Sequence, residues 1–222
     1  MQAYVSLWSA DLLDVGRAID LVAPVADGFH LDVFDGHNVD ELLFGPDFVA
    51  AVRKRTNLPL DVHLNVIDPD RWARRFIDVG ADVVTVQSGP CPDVGATLSA
   101  IREQGAVPSL GIELHERIEE AVERAELVDR YLMMGTLIGI KGVEPDPSTP
   151  DRVRALKDRL DACGHSRPVF VDGGIRETTV GPLADAGTDG VIPGSMVFGD
   201  SDPCAAIRRL HSRTLTPNRV GS

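Results

Sequence analysis

The feature that most constrains the fold of this chain is a recurring pattern. Eight short apolar runs, at residues 3–7, 28–33, 60–64, 83–86, 106–112, 131–134, 169–171 and 190–192, recur along its length. Segments of helical periodicity lie between them, among others at 47–56, 69–79, 94–104, 118–125, 149–163 and 177–186. Several of these end at glycine (Gly80, Gly105, Gly164, Gly187), and Asp68-Pro69 and Thr149-Pro150 read as helix starts. The runs are apolar enough to be buried on both faces, which indicates a parallel sheet covered by helices. Eight such units in 222 residues predict a compact α/β protein, a single (β/α)8 TIM barrel, a fold usually built from about 250 residues. An open doubly wound sheet is the alternative, but no Gly-x-Gly-x-x-Gly turn follows the first run. With no linker or composition shift, the expectation is one catalytic barrel over 1–213 and a flexible polar tail at 214–222.

Net charge is −12 with no basic cluster and few aromatics, which argues against nucleic acid as a partner. No apolar run approaches the roughly 20 residues needed to span a bilayer, so no membrane partner is expected. The acidity repels a phosphorylated ligand at long range, so any phosphate site must be local. Cys91, Cys163 and Cys204 are odd in number and widely spaced, as expected of reduced thiols in a cytoplasmic protein.

In a barrel the chemistry sits at the C-terminal ends of the strands. The second run ends in His30-Leu31-Asp32-Val33-Phe34-Asp35-Gly36-His37. Alternate side chains of a strand share a face, so His30 and Asp32 point together and Leu31 and Val33 point away. The third run ends with His63, the fourth with Gln87, the seventh with Asp172. His30, Asp32, His63 and Asp172 together make a plausible two-imidazole, two-carboxylate set for one divalent cation. Taken singly, each has a plainer reading: a satisfied polar pair, a core histidine, a helix cap. Gly173-Gly174 and Gly194-Ser195 follow the last two runs, where barrels commonly bind phosphate through backbone amides. Ordinary strand-to-helix turns would look the same.

With these residues in place, the chain resembles the ribulose-phosphate 3-epimerase family over nearly its whole length. The likeness is carried by SLWSADL at 6–12, HLDVFDGH at 30–37, FGP at 44–46, LPLDVHL at 58–64, VDGGI at 171–175 and PGSMVFG at 193–199, in order and spacing. The resemblance implies epimerisation of a ketose phosphate by metal-dependent 1,1-proton transfer beside the ketone, through an enediolate. The matching positions make His30, Asp32, His63 and Asp172 the metal ligands, with Asp32 and Asp172 also the two acid–base groups. Ser6 matches a serine near the substrate oxygens, and Gly173, Gly174, Gly194 and Ser195 match the phosphate cradle. The mixed ligand set suits zinc, iron, manganese or cobalt. The resemblance also suggests a homo-oligomer.

Departures cluster around the substrate. Where the family usually places methionines over the metal, Phe34 and Asn65 stand at two positions and Met134 keeps the third. Gln87 replaces a histidine. The family's Pro-Gly-Phe-Gly-Gly-Gln lid reads Ile-Gly-Ile-Lys-Gly-Val at 138–143. Phe34, Asn65, Met134 and Lys141 are therefore candidates for shaping substrate choice. Two other functions compete with the epimerase reading: an aldolase forming a Schiff base at Lys141, and a non-catalytic sugar-phosphate-binding barrel. The decarboxylases and synthases sharing this barrel carry Asp-x-Lys-x-x-Asp after a strand, and HLDVFDGH holds no lysine.

Overall fold

The computed structural model describes residues 1–213, so the tail expected at 214–222 lies outside the described residues. Strands β1 (Gln2–Ser6), β2 (Gly28–Asp35), β3 (Leu42–Leu43), β4 (Leu60–Asn65), β5 (Val83–Gln87), β6 (Val107–Ile112), β7 (Arg130–Met134), β8 (Val169–Asp172) and β9 (Gly190–Ile192) form one sheet. All but β3 run parallel, and β1 pairs with both β9 and β2, which closes the eight-stranded barrel anticipated from the apolar runs. β3 is an addition, pairing antiparallel with the end of β2 through Phe34 and Leu43. Two residues carry no periodic signal, so it had no sequence signature.

Helices α1 (Val15–Val22), α2 (Pro46–Arg55), α3 (Pro69–Asp78), α4 (Val94–Glu103), α5 (Ile118–Val122), α6 (Thr149–Ala162), α7 (Glu177–Asp185), α8 (Ser195–Phe198) and α9 (Pro203–His211) connect the strands. Their starts follow local chemistry. Asp68 accepts a hydrogen bond from the Arg71 amide at 3.2 Å, with Pro69 in the first turn, where its missing N–H is not needed. Their ends do too: α6 stops before Gly164, whose φ of +77° lets His165 N–H reach Leu160 O at 2.9 Å. No helix among the described residues is long and apolar enough to cross a membrane.

Strand alternation sorts side chains between two cores. Phe29, Leu31, Val62, Leu64, Val84, Val86, Val171 and Val191 face outward and pack under the helices. The inward set is divided. From β1, β7, β8 and β9 come Tyr4, Leu132, Met134, Phe170 and Ile192, a small apolar cluster. From β2, β4, β5 and β6 come His30, Asp32, Asp61, His63, Asn65, Thr85, Gln87 and Ser109, all buried. Half of the barrel interior is therefore polar, and buried polar atoms hold a fold together only where they are paired. Their partners define the site.

Candidate active site

His30 and Asp32 project inward from β2 because they are two residues apart, and Asp61 and His63 do so from β4 for the same reason. The parallel register sets His30 beside Asp61 and Asp32 beside His63. Asp172 is the last residue of β8, in register with Met134 and Ile192. One ligand atom from each of His30, Asp32, His63 and Asp172 falls within 4.8 Å of the others. Asp32 Oδ1 is 3.2 Å from both His30 Nε2 and His63 Nδ1, and His30 Nε2 is 3.8 Å from Asp172 Oδ2.

Those spacings suit a cation. Donors placed tetrahedrally around one ion at about 2.1 Å lie about 3.4 Å from one another. The charges agree. Burial opposes a proton on His30, yet the Asp32 and Asp61 carboxylates outweigh it and raise its pKa well above the usual imidazole value. Carboxylates that favour a proton there favour a divalent cation in its place. Gln87 adds a third sign. Its amide nitrogen lies 2.8 Å from His63 Nε2 while its buried Oε1 has no partner among the described residues. A half-turn of the amide lets Oε1 accept a hydrogen from Nε2, leaving the Nδ1 lone pair for an ion beside Asp32. The residues present therefore fit a divalent metal.

The two carboxylates differ in proton affinity. Burial opposes ionisation of Asp32, but His30 and His63 prevail and hold it well below the ordinary carboxylate range. For Asp172 burial wins: with the Asp32 charge adding to it and His30 opposing, its pKa is pushed up to about 6.

Above the cluster opens a cavity of about 220 Å³. Ser6, Asp32, Phe34, Met134, Lys141, Asp172, Gly173, Gly174, Gly194 and Ser195 all line it. His30 and His63 lie beneath, fully buried. Asn65 is also fully buried and off the cavity wall, with Nδ2 3.5 Å from His63 O and Oδ1 unpartnered among the described residues. Backbone approaches closely at the glycines. A Cβ at Gly173 would fall 2.3 Å from Thr136 Oγ1, and one at Gly194 2.3 Å from Ser9 Oγ.

Residues 137–143 pass over the mouth. A Cβ on Gly139 would lie 2.3 Å from Val39 in the loop after β2. Lys141 Nζ donates to Trp8 O at 2.5 Å and sits 4.0 Å above the Trp8 ring, which meets Phe34 edge-on at 5.1 Å. Burial lowers the Lys141 pKa, with Asp32 and Glu41 opposing. Arg176 Nη2 donates to Gly142 O at 2.8 Å, tying the segment to the β8 loop.

Sequence reading passed over Trp8, Arg176, Asp61 and Arg130. Asp61 was findable, because it stands two residues before His63 inside LPLDVHL and so shares its face. Trp8 and Arg176 lie within or next to quoted motifs but carry no spacing signal. Arg130 has none at all.

A family model described as the ribulose-phosphate 3 epimerase family matches residues 3–198. A ribulose-phosphate 3-epimerase of Bacillus subtilis is 34% identical over 207 residues, 92% of this chain and 95% of that protein. One of Aquifex aeolicus is 32% identical over 212 residues, 95% of this chain and 96% of the relative. Among solved structures, a 3-hexulose-6-phosphate synthase from Salmonella typhimurium superposes with a TM-score of 0.74 at 22% identity, covering 97% of this chain and 99% of its own. KGPDC from Streptococcus mutans gives 0.74 at 14% identity, with 96% of each chain covered. At these identities the structural likeness speaks for the barrel alone.

Proposed function

The chain belongs to the ribulose-phosphate 3-epimerase family, isomerases of sugar phosphates, and from that premise we propose a metal-dependent 1,1-proton transfer beside the ketone of a ketose phosphate. The observation that carries the proposal is the pair Asp32 and Asp172. They reach one cavity from strands separated by β9 and β1, and share a donor cluster with two imidazoles.

A carbon-bound hydrogen next to a ketone is weakly acidic, and inversion needs a base on one face of the planar enediolate and an acid on the other. We assign Asp32 as the base that takes the proton, and Asp172, which burial and the Asp32 charge push toward the protonated form, as the acid that returns one to the opposite face. The reverse reaction exchanges the roles, and solvent exchange of the two carboxyls resets the pair. A divalent cation (Zn, Fe, Mn or Co) held by His30 Nε2, His63 Nδ1, Asp32 and Asp172 supplies Lewis acidity that lowers the pKa of the carbon acid. Backbone amides around Gly173, Gly174, Gly194 and Ser195 bind the phosphate, Ser6 bonds a substrate oxygen, and Phe34 and Met134 exclude water. Residues 1–213 form the catalytic unit, cytoplasmic and homo-oligomeric.

The test is hydrogen exchange from deuterated water into a panel of pentulose, hexulose and tetrulose phosphates. Chelation is expected to abolish exchange and one of the four metals to restore it, and Asp172→Asn to lower it by about 100-fold or more. Undiminished exchange by metal-free protein would refute the mechanism. The lowered Lys141 pKa is the one observation favouring a Schiff base. Borohydride trapping with these ketoses decides it, and no adduct is expected because the ammonium is engaged by Trp8.

A further inference from the structure

Beneath the cluster the barrel holds an ion pair that the proposed chemistry does not touch. Asp61 is fully buried. Its Oδ2 lies 2.7 Å from His30 Nδ1 and meets the Arg130 guanidinium, while Oδ1 accepts from Thr85 Oγ1 at 3.0 Å. Arg130, 4% exposed, enters from the first residue of β7. Its guanidinium carbon is 5.4 Å from the Tyr4 ring centre and 4.6 Å from that of Phe170. Its Nε and Nη1 have no hydrogen-bond partner among the described residues.

This arrangement is poor as a stabilising device. Taking a guanidinium and a carboxylate out of water is offset only when every donor is satisfied, and apolar side chains of the same volume often do as well or better. Two guanidinium nitrogens here are not satisfied. The pair therefore calls for another role, and His30 supplies one. An ionised carboxylate only accepts, so the hydrogen between Asp61 and His30 sits on Nδ1, and Nε2 is left facing Asp32 and Asp172.

We propose that Asp61 and Arg130 are positioning residues for the metal site: Asp61, oriented by Arg130, holds the Nδ1–H tautomer and ring plane of His30 so that the Nε2 lone pair meets the cation. This rests on the metal reading of the site above. Without that partner the imidazole samples both tautomers and turns about its own axis, and one tautomer aims an N–H at the ion. Loss of such a partner typically weakens metal binding by about 10- to 100-fold. On the ring nitrogen turned away from the cluster, His63 meets the neutral Gln87 amide, whereas His30 meets a carboxylate there.

The experiment is competition for Co²⁺ or Zn²⁺ between the full-length chain and a chromogenic chelator. The double variant Asp61→Asn with Arg130→Met removes both charges at similar volume and strands neither. Its metal affinity is expected to fall by about 10- to 100-fold, with a thermal midpoint of the metal-free protein equal to or above wild type. Asp61→Asn alone, read per folded molecule, is the second variant and is expected to lose as much. Arg130→Lys, which keeps the charge, is expected to lose less than Arg130→Met. A merely structural pair gives the reverse: a lower midpoint and unchanged affinity. Equal affinity in wild type and both Asp61 variants would overturn the role of Asp61 and Arg130 alone. Absence of metal uptake by wild type would overturn the reading of the site itself.

Discussion

Gly174→Ala tests the β8 loop as a phosphate cradle, and Gly164→Ala is its internal control. Both glycines have positive φ, +70° and +77°. A side chain in that region costs about 1–2 kcal/mol at either position. The surroundings differ. A Cβ at Gly164 meets no atom of the described residues within 4 Å, whereas at Gly174 it falls 2.4 Å from Pro145 N and 2.5 Å from Pro145 Cδ. Relaxing that contact to ordinary separation, about 3.5 Å, moves the Gly174 loop or the root of the 137–143 segment by about 1 Å. Overpacking of this kind adds about 1–3 kcal/mol. Gly164→Ala should therefore lose about 1–2 kcal/mol in urea unfolding, equivalent to about 2–4 °C per kcal/mol, with unchanged kinetics. Gly174→Ala should lose about 2–5 kcal/mol, the sum of the two effects. It should also raise KM for a phosphorylated ketose by about 10- to 100-fold, because a shift of about 1 Å spoils alignment to the oxygens. The assay is hydrogen exchange from deuterated water against substrate concentration, run beside the unphosphorylated ketose, whose exchange should not change. If Gly174→Ala matches Gly164→Ala in both stability and KM, the cradle reasoning is wrong.

Other expectations are more local. Lys141→Met removes a charged hydrogen bond to Trp8 O and the contact with the Trp8 ring, so KM for the phosphorylated substrate should rise about tenfold with kcat little changed. An unaltered KM would free the 137–143 segment from any part in binding. Burial pushes the Cys91 thiol up to about 11, so its reactive thiolate is about one part in a thousand at pH 8 and grows about tenfold per pH unit up to that value. Iodoacetamide followed by peptide mass mapping should then label exposed Cys163 at pH 8 well before Cys91, and early labelling of Cys91 would contradict its burial. Leu13 and Leu42 are 99% and 79% exposed, which suits coverage by a second copy of the chain. Light scattering should give a homo-oligomer that Leu42→Glu weakens, and a monomeric wild type would remove that expectation.

The barrel was legible because its signal is periodic. Strands buried on both faces and helices with one apolar stripe repeat eight times, and terminating glycines and capping prolines act within a few residues of themselves. The residues of the candidate cluster were legible for a related reason. Strand alternation sets His30 with Asp32 on one face, and strand ends in a closed barrel all point toward one mouth. Asn65 shows the limit: it stands beside the ligands in the motif and in register with cavity-lining Phe34, yet its side chain is fully buried and off the cavity wall, because the packing around a strand end is not written in spacing.

Sequence alone thus determined the fold class, the family and the donor types brought together, all of which depend on local geometry or on order along the chain. Tertiary structure alone decided how those donors behave. Asp172 differs from Asp32 in proton affinity because of burial and neighbouring charge, and the charges that act on Asp172, on Asp32 and His30, come from a strand about 140 residues earlier in the chain. Arg130 reads as one of two charges preceding an apolar run until closure of the sheet brings it to Asp61, 69 residues earlier in the chain, and Asp61 to His30. Interaction energies between charges fall with distance through space and burial sets their strength, and neither quantity exists until the barrel has closed.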